Sequence, residues 1–297
     1  MATKYSIRKK IISKDNQQSS TRKIFSYIAL FVVLFCVFFI LRNSTWRGNA
    51  QLHTIMEVIA TVLALIVGVL ALARFYTQKY NTFLFIGTGF IGTGLLDGYH
   101  AFVTSTFFYQ SFPSSLHSLV PWSWSASRTF LAILMFLSYW AWRREEKDGT
   151  GTFSEQKVYL ATAVLTIISF LFFAFVPLPR AYYPEYIIGR PQEFISALFF
   201  LLALGGYLRK GKWKEDAFEH WLVLSLIIGF MSQAMFMPFS HSLFDAMFDS
   251  AHVLKKLSYI CVLSGLLISM YAIFRREVNH SLALENANVS LIYCKRA

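Results

Sequence analysis

Charge is what this chain has least of. Asp, Glu, Lys and Arg make up 15% of the sequence, where soluble domains carry roughly 25%. Hydrophobic residues make up 56%, with 30 phenylalanines among them. That balance excludes an ordinary soluble domain, and the lipid bilayer is the partner it implies. Cysteine is scarce as well. Cys36 and Cys261 fall inside apolar runs and Cys294 in the C-terminal tail, so no disulfide is expected. Acidic residues number 16 against 28 Lys and Arg, a net charge of +12. In a soluble protein such an excess would point to nucleic acid. Here the basic residues lie in short loops and at both ends, which marks membrane topology instead, and no nucleic-acid partner is expected. No cleaved leader is expected either, because MATKYSIRKKIISKDNQQSSTRK is too long and polar ahead of the first apolar segment, and the first span reads as retained.

Apolar runs of about 18 residues or more, the length that crosses a hydrocarbon core, fall near 23–42, 53–74, 82–103, 122–142, 157–176, 191–208, 217–238 and 250–274. They predict an all-α, polytopic transmembrane helical bundle of about eight spans. A basic cytoplasmic tail (1–22) precedes the bundle (23–274), and a connector helix (275–297) follows it. With the tail inside, the loops RFYTQKYN, RREEKDGTGTFSEQK and RKGKWKED are also inside, all rich in Lys and Arg. VTSTFFYQSFPSSLHSLV and MPFSHSLFDAM lie outside and have neither. The outer PLPRAYYPEYIIGRP carries Arg180 and Arg190, a mild exception. The alternation puts both termini in the cytoplasm, and the aromatic segments PWSW and RAYYPEY along the outer interface. No internal repeat is visible, which disfavours a transporter built from two related halves.

The few ionisable residues inside the spans are placed unevenly. His53 and Glu57 open the second span (HTIME), and Asp97 and His100 close the third (LLDGYH). Arg128 follows WSWSAS in the fourth, and Glu193 opens the sixth. Asp249, His252, Lys255 and Lys256 open the eighth (FDSAHVLKK). In this topology all lie in the outer leaflet, and the inner halves show no comparable set. His53 and Glu57 are i and i+4; Asp97/His100 and Asp249/His252 are i and i+3. Each pair therefore shares a helix face.

Imidazole with carboxylate suits zinc, iron or copper. A carboxylate can instead orient a ligating His, and haem held between two histidines is a third form. The candidate ligand pocket comprises His53, Glu57, Asp97, His100, Arg128, Asp249, His252, Lys255 and Lys256, with His53, Glu57, His100 and His252 as candidate metal ligands. Two plainer readings stand beside it: a polar pocket that takes no metal, and structural pairs that fasten helices at about 1 kcal/mol or less each. Lys255 and Lys256, one turn past His252, disfavour another positive charge. With Arg128 they would neutralise Asp249 and Glu57, or attract an anion. His117 and His241 read as solvated loop residues, and His220 lies on the cytoplasmic side. Gly87, Gly89, Gly92 and Gly94 in IGTGFIGTG read as close helix packing rather than a nucleotide loop.

HTIME, LLDGYHAF, WSWSASR and FDSAHVLKKLSY together resemble the bacterial membrane-associated sensor domains, the third type most nearly, over about residues 50–275. The resemblance implies an input module of the cytoplasmic (inner) membrane, placed ahead of a histidine kinase, diguanylate cyclase or PAS domain, with no agreed ligand. His53, Glu57, Asp97, His100, Asp249 and His252 match that family's recurring polar positions. The tail FRREVNHSLALENANVSL, with Val278, Leu282, Leu284, Val289 and Leu291, reads as the start of a helical connector to a dimeric output, and so to a homodimer. It is too short to define a coiled coil. IYCKRA follows with no phospho-acceptor, ATP-binding or cyclase domain, and His280 has no kinase signature around it. The expectation is a non-enzymatic sensory input domain, excised from a longer chain or working with a separate partner. The alternative is a membrane metalloenzyme or redox protein using the same cluster, with metal-activated water beside a carboxylate base. No HExxH supports it.

Overall fold

A computed structural model describes the backbone of residues 2–149 and 152–296, and the side chains of 17–108, 110–149 and 152–285. Val289, Leu291 and Cys294 lie outside the described side chains. Within the described residues the chain forms eight α-helices: α1 (Ala2–Leu41), α2 (Ala50–Gln78), α3 (Asn81–Val103), α4 (Leu116–Asp148), α5 (Glu155–Phe175), α6 (Glu193–Lys210), α7 (Ala217–Met231) and α8 (Ala246–Arg296). Each apolar run of the sequence falls on one of them. There is no strand among the described residues, and a lone antiparallel bridge joins Arg47 to Asp245.

Local chemistry sets several helix ends. The Asn49 side chain accepts the Leu52 N–H at 2.8 Å and starts α2. Asp216 does the same for Phe218 at the start of α7, and Asp245 for Phe248 at the start of α8. Each satisfies a backbone donor that a helix start leaves bare. Gly211, at φ +74°, ends α6 in the left-handed region that glycine enters without strain. Past Met231, α7 widens into a π turn (Ser232–Phe236) and tightens to a 3₁₀ turn at Met237–Phe239. Pro238 lacks a backbone donor, so a regular helix does not continue there.

Among the described residues, five segments are long and apolar enough to cross a membrane: Gln17–Leu41, Ala50–Gln78, Glu155–Phe175, Ala217–Phe239 and Ala246–Glu285. Helices α3, α4 and α6 are not among these segments. Helix α3 is packed between α2 and α4, with α5 against it, and most of its residues are buried. A helix that meets protein instead of lipid need not be uniformly apolar. Helix α8 packs between α2 and α7, while α6 bridges α4 and α7. The outer helices turn apolar side chains outward, among them Phe25, Val33 and Ile40 of α1 and Leu160, Ile167 and Phe175 of α5.

The glycine run fixes how closely α3 is held. A Cβ on Gly87 would stand 2.6 Å from Leu72 of α2, and one on Gly92 2.5 Å from Phe130 of α4. Neither position has room for a methyl group.

Candidate functional site

At one end of the bundle, four helices turn ionisable side chains toward a common interior. Helix α2 supplies His53 and Glu57, one turn apart. Helix α3 supplies Asp97 and His100 from its last two turns. Helix α4 supplies Ser123, Trp124, Ser127 and Arg128, and α8 supplies His252, Lys255 and Tyr259. None of these residues is more than 2% exposed.

Two carboxylates meet two cations here. Lys255 Nζ lies 2.5 Å from Glu57 Oε2 and 3.3 Å from Asp97 Oδ1. Arg128 stands 3.8 Å from Asp97 Oδ2 and donates to the Tyr259 hydroxyl, which donates in turn to Asp97 Oδ2 at 2.9 Å. The Ser127 hydroxyl also donates to Asp97, at 2.5 Å. Unpaired charge is costly at membrane depth, so this mutual neutralisation is what allows the group to exist. The Lys255 ammonium also sits 4.7 Å from the Trp124 ring centroid.

The three imidazoles form the other half. His53 Nε2 and His100 Nε2 are 3.1 Å apart, and His252 Nε2 is 3.4 Å from Glu57 Oε1. One donor atom from each of His53, Glu57, His100 and His252 lies within 4.8 Å of the others. Trp124 and Phe248 flank the His252 ring, each with a centroid separation of 4.2 Å. Five buried polar atoms of the cluster have no hydrogen-bond partner: His53 Nδ1, Glu57 Oε1 and His252 Nε2, and beside them Trp124 Nε1 and Arg128 Nε. Buried polar atoms are mostly paired in folded proteins; bare ones occur elsewhere in this bundle too, and here three of the four convergent residues carry one. Haem is a poor fit: the ring of His53 touches those of His100 and His252, at 5.1 and 4.9 Å between centroids. No slab remains between them for a macrocycle.

Other sequence candidates fall elsewhere. Asp249 accepts from Trp46 Nε1 at 2.8 Å and lies against Gly48, in the loop before α2. Lys256 turns back along its own helix to the His252 carbonyl, at 2.6 Å, and not to Asp249. Glu193 is buried but forms a separate pair with Arg190 at 2.5 Å, joined by the Ser125 hydroxyl at 2.7 Å. Arg190, expected to lie in an outer loop, is wholly buried. His117, His241 and His280 are exposed, and His220 meets the Tyr27 hydroxyl at 2.7 Å.

The opposite end of the bundle also encloses charge. Lys210 and Glu219 form a buried pair at 2.5 Å, and the Arg74 guanidinium lies 4.1 Å from the Phe83 ring centroid. These residues line a cavity of about 700 Å³ that α8 borders with Ser269, Ala272, Ile273 and Arg276. Both ion-pair partners sit at helix ends, where charge usually meets solvent, so no pattern along the chain marks their burial.

Ser123, Ser127 and Tyr259 carry no role in the sequence reading, and Trp124, expected with PWSW along the outer interface, is buried against Lys255 and His252. Neutral polar and aromatic residues in a span look like ordinary lining. The periodicity was nonetheless present, since Ser123 and Ser127 lie i and i+4 beside Arg128.

Membrane-length helices closed around a neutralised ionisable cluster, with one helix running on beyond them, define a multi-pass membrane domain built on an internal polar site. The chain belongs to the MASE3 membrane-associated sensor domain family, whose family model matches residues 44–271. No curated protein and no solved structure matches it.

Proposed function

We propose that this domain is a sensory input bundle of the bacterial cytoplasmic membrane. It detects its stimulus at the buried His/carboxylate cluster and relays it through α8 to a cytoplasmic output, fused in a longer chain or held as a separate partner. In this reading all eight helices cross the bilayer, both termini face the cytoplasm, and the cluster lies in the outer leaflet. The charge alternation of the loops supports that orientation.

The observation that carries the proposal is the continuity of α8. His252, Lys255 and Tyr259 line the cluster, and the same unbroken helix runs through Arg296. From residue 274 to 285 its side chains are exposed, clear of the bundle. A helix that contacts the site at one end and leaves the bundle at the other converts a change at the site into displacement or rotation. A stimulus acts only if it favours one helix arrangement over another. The metalloenzyme reading draws less support, because the cluster residues are enclosed on every side. Such a site suits a small ion or a proton better than a substrate arriving from the bilayer.

The test fuses a diguanylate cyclase after Arg296 and measures its output in membranes. His252→Gln and the double variant Glu57→Gln/Lys255→Met are compared with Leu165→Ala on the outward face of α5. The cluster variants should shift output several-fold at equal membrane levels, while Leu165→Ala leaves it unchanged. Output insensitive to every cluster change would contradict the proposal.

A further inference from the structure

The geometry points to a divalent transition-metal ion as the occupant of the cluster, held by His53, Glu57, His100 and His252. As the signal, this ion rests on the sensory reading above; as a ligand, it rests on the arrangement of donor atoms alone.

The hydrogen bonds around two of the histidines decide which ring nitrogen is bare. Ser123 Oγ spends its one proton on the Leu119 carbonyl, at 2.5 Å. At its 2.6 Å contact with His100 Nδ1 it can therefore only accept. His100 thus carries its proton on Nδ1, and the neutral ring turns a lone pair on Nε2 toward His53. His252 Nδ1 lies 2.7 Å from the Phe248 carbonyl, which has no proton to give. His252 too is protonated on Nδ1, and its Nε2 faces Glu57 with no hydrogen bond of its own. Two buried imidazoles are thus fixed in the tautomer that metal-ligating histidines adopt, with the distal N–H held by a hydroxyl or carbonyl.

The donor spacing agrees. A tetrahedral ion with bonds of about 2.0–2.1 Å sets adjacent donors roughly 3.3–3.4 Å apart. The His252–Glu57 separation is 3.4 Å and the His53–His100 separation 3.1 Å. These are two opposite edges of such a tetrahedron, and the remaining edges, all within 4.8 Å, close by side-chain rotation. His53 offers Nε2 once its ring proton moves to the bare Nδ1. Glu57 offers Oε1 while Lys255 keeps Oε2, so the ion pair orients the carboxylate and need not break. Three imidazoles and one carboxylate form a donor set for zinc, and also for copper, cobalt or iron, not for magnesium or calcium. The ammonium beside Glu57 opposes a second cation, which weakens the hold and fits a reversible sensor more than a permanent structural ion.

The test uses the full chain in detergent, stripped with a chelator and desalted. Zinc is titrated and read by elemental analysis, and cobalt by its visible absorption. The expected result is one ion per chain, with cobalt bands typical of four-coordination. His252→Gln and Glu57→Gln should weaken binding by about 100-fold or more, and Ser123→Ala, which only frees His100 to turn, by about 10–100-fold. Asp249→Asn, outside the donor set, should bind as the parent does. Size exclusion shows that each variant is folded, and Ser123→Ala keeps the test open if the larger changes do not fold. Substoichiometric metal, or binding unchanged in His252→Gln and Ser123→Ala, overturns the site. The fusion assay separates this from the sensory reading. Stoichiometric metal with an indifferent output refutes only the signalling role, and a responsive output in a protein that takes no metal refutes only the ion.

Discussion

At the scale of single residues, the pair Glu57–Lys255 is the test of how the cluster is held together. Both side chains are fully enclosed, so removing either partner leaves an uncompensated charge. Glu57→Gln or Lys255→Met alone is expected to destabilise the fold by about 3–5 kcal/mol, whereas the double change should recover most of that loss. Unfolding in detergent measures both, and losses that simply add would show that the two groups do not act as a pair. The four convergent donors were legible in the sequence because ionisable residues stand out in apolar helices and their i, i+3 and i, i+4 spacings put them on shared faces. Asp249 followed the same spacing rule and still lies outside. It sits at the mouth of α8, where Trp46 and Gly48 from the loop before α2 capture it. That loop contact is tertiary, and no pattern along α8 encodes it.

At the scale of elements, α3 shows what the glycine run is for. Gly87→Val and Gly92→Val would drive side chains into Leu72 and Phe130, and overpacking of this kind typically costs about 1–3 kcal/mol. Gly205 of α6 has open space around its Cα, so Gly205→Ala should be neutral or gain up to about 1 kcal/mol. Thermal stability of the purified variants checks the contrast, and equal losses at all three positions would refute the packing role. The eight helices were readable as apolar runs because periodicity matters little where both faces are dry. The π turn at Ser232–Phe236 was not readable, since it depends on how α7 meets α8 before Pro238. Residues 275–285 were expected as a connector, and they are one helix with the last span.

At the scale of the whole molecule, the account needs one orientation. In a protein otherwise free of cysteine, Tyr186→Cys lies in the segment between α5 and α6 and Lys212→Cys between α6 and α7. A membrane-impermeant thiol reagent on intact cells should label Tyr186→Cys and reach Lys212→Cys only after permeabilisation. The reverse pattern would invert the topology and put the cluster in the inner leaflet. Loop charges gave this expectation, although Arg190 shows that one apparent loop charge is a buried pairing group. The central claim is that the state of the cluster sets the position of α8 where it leaves the bundle. Its most direct measurement is a pulsed-EPR distance between spin labels on Lys212→Cys and Leu282→Cys, compared between the parent and its Glu57→Gln/Lys255→Met variant. The account predicts a displaced distribution, by on the order of 1–2 Å as helix shifts of this kind run. Identical distributions in two folded proteins would contradict it.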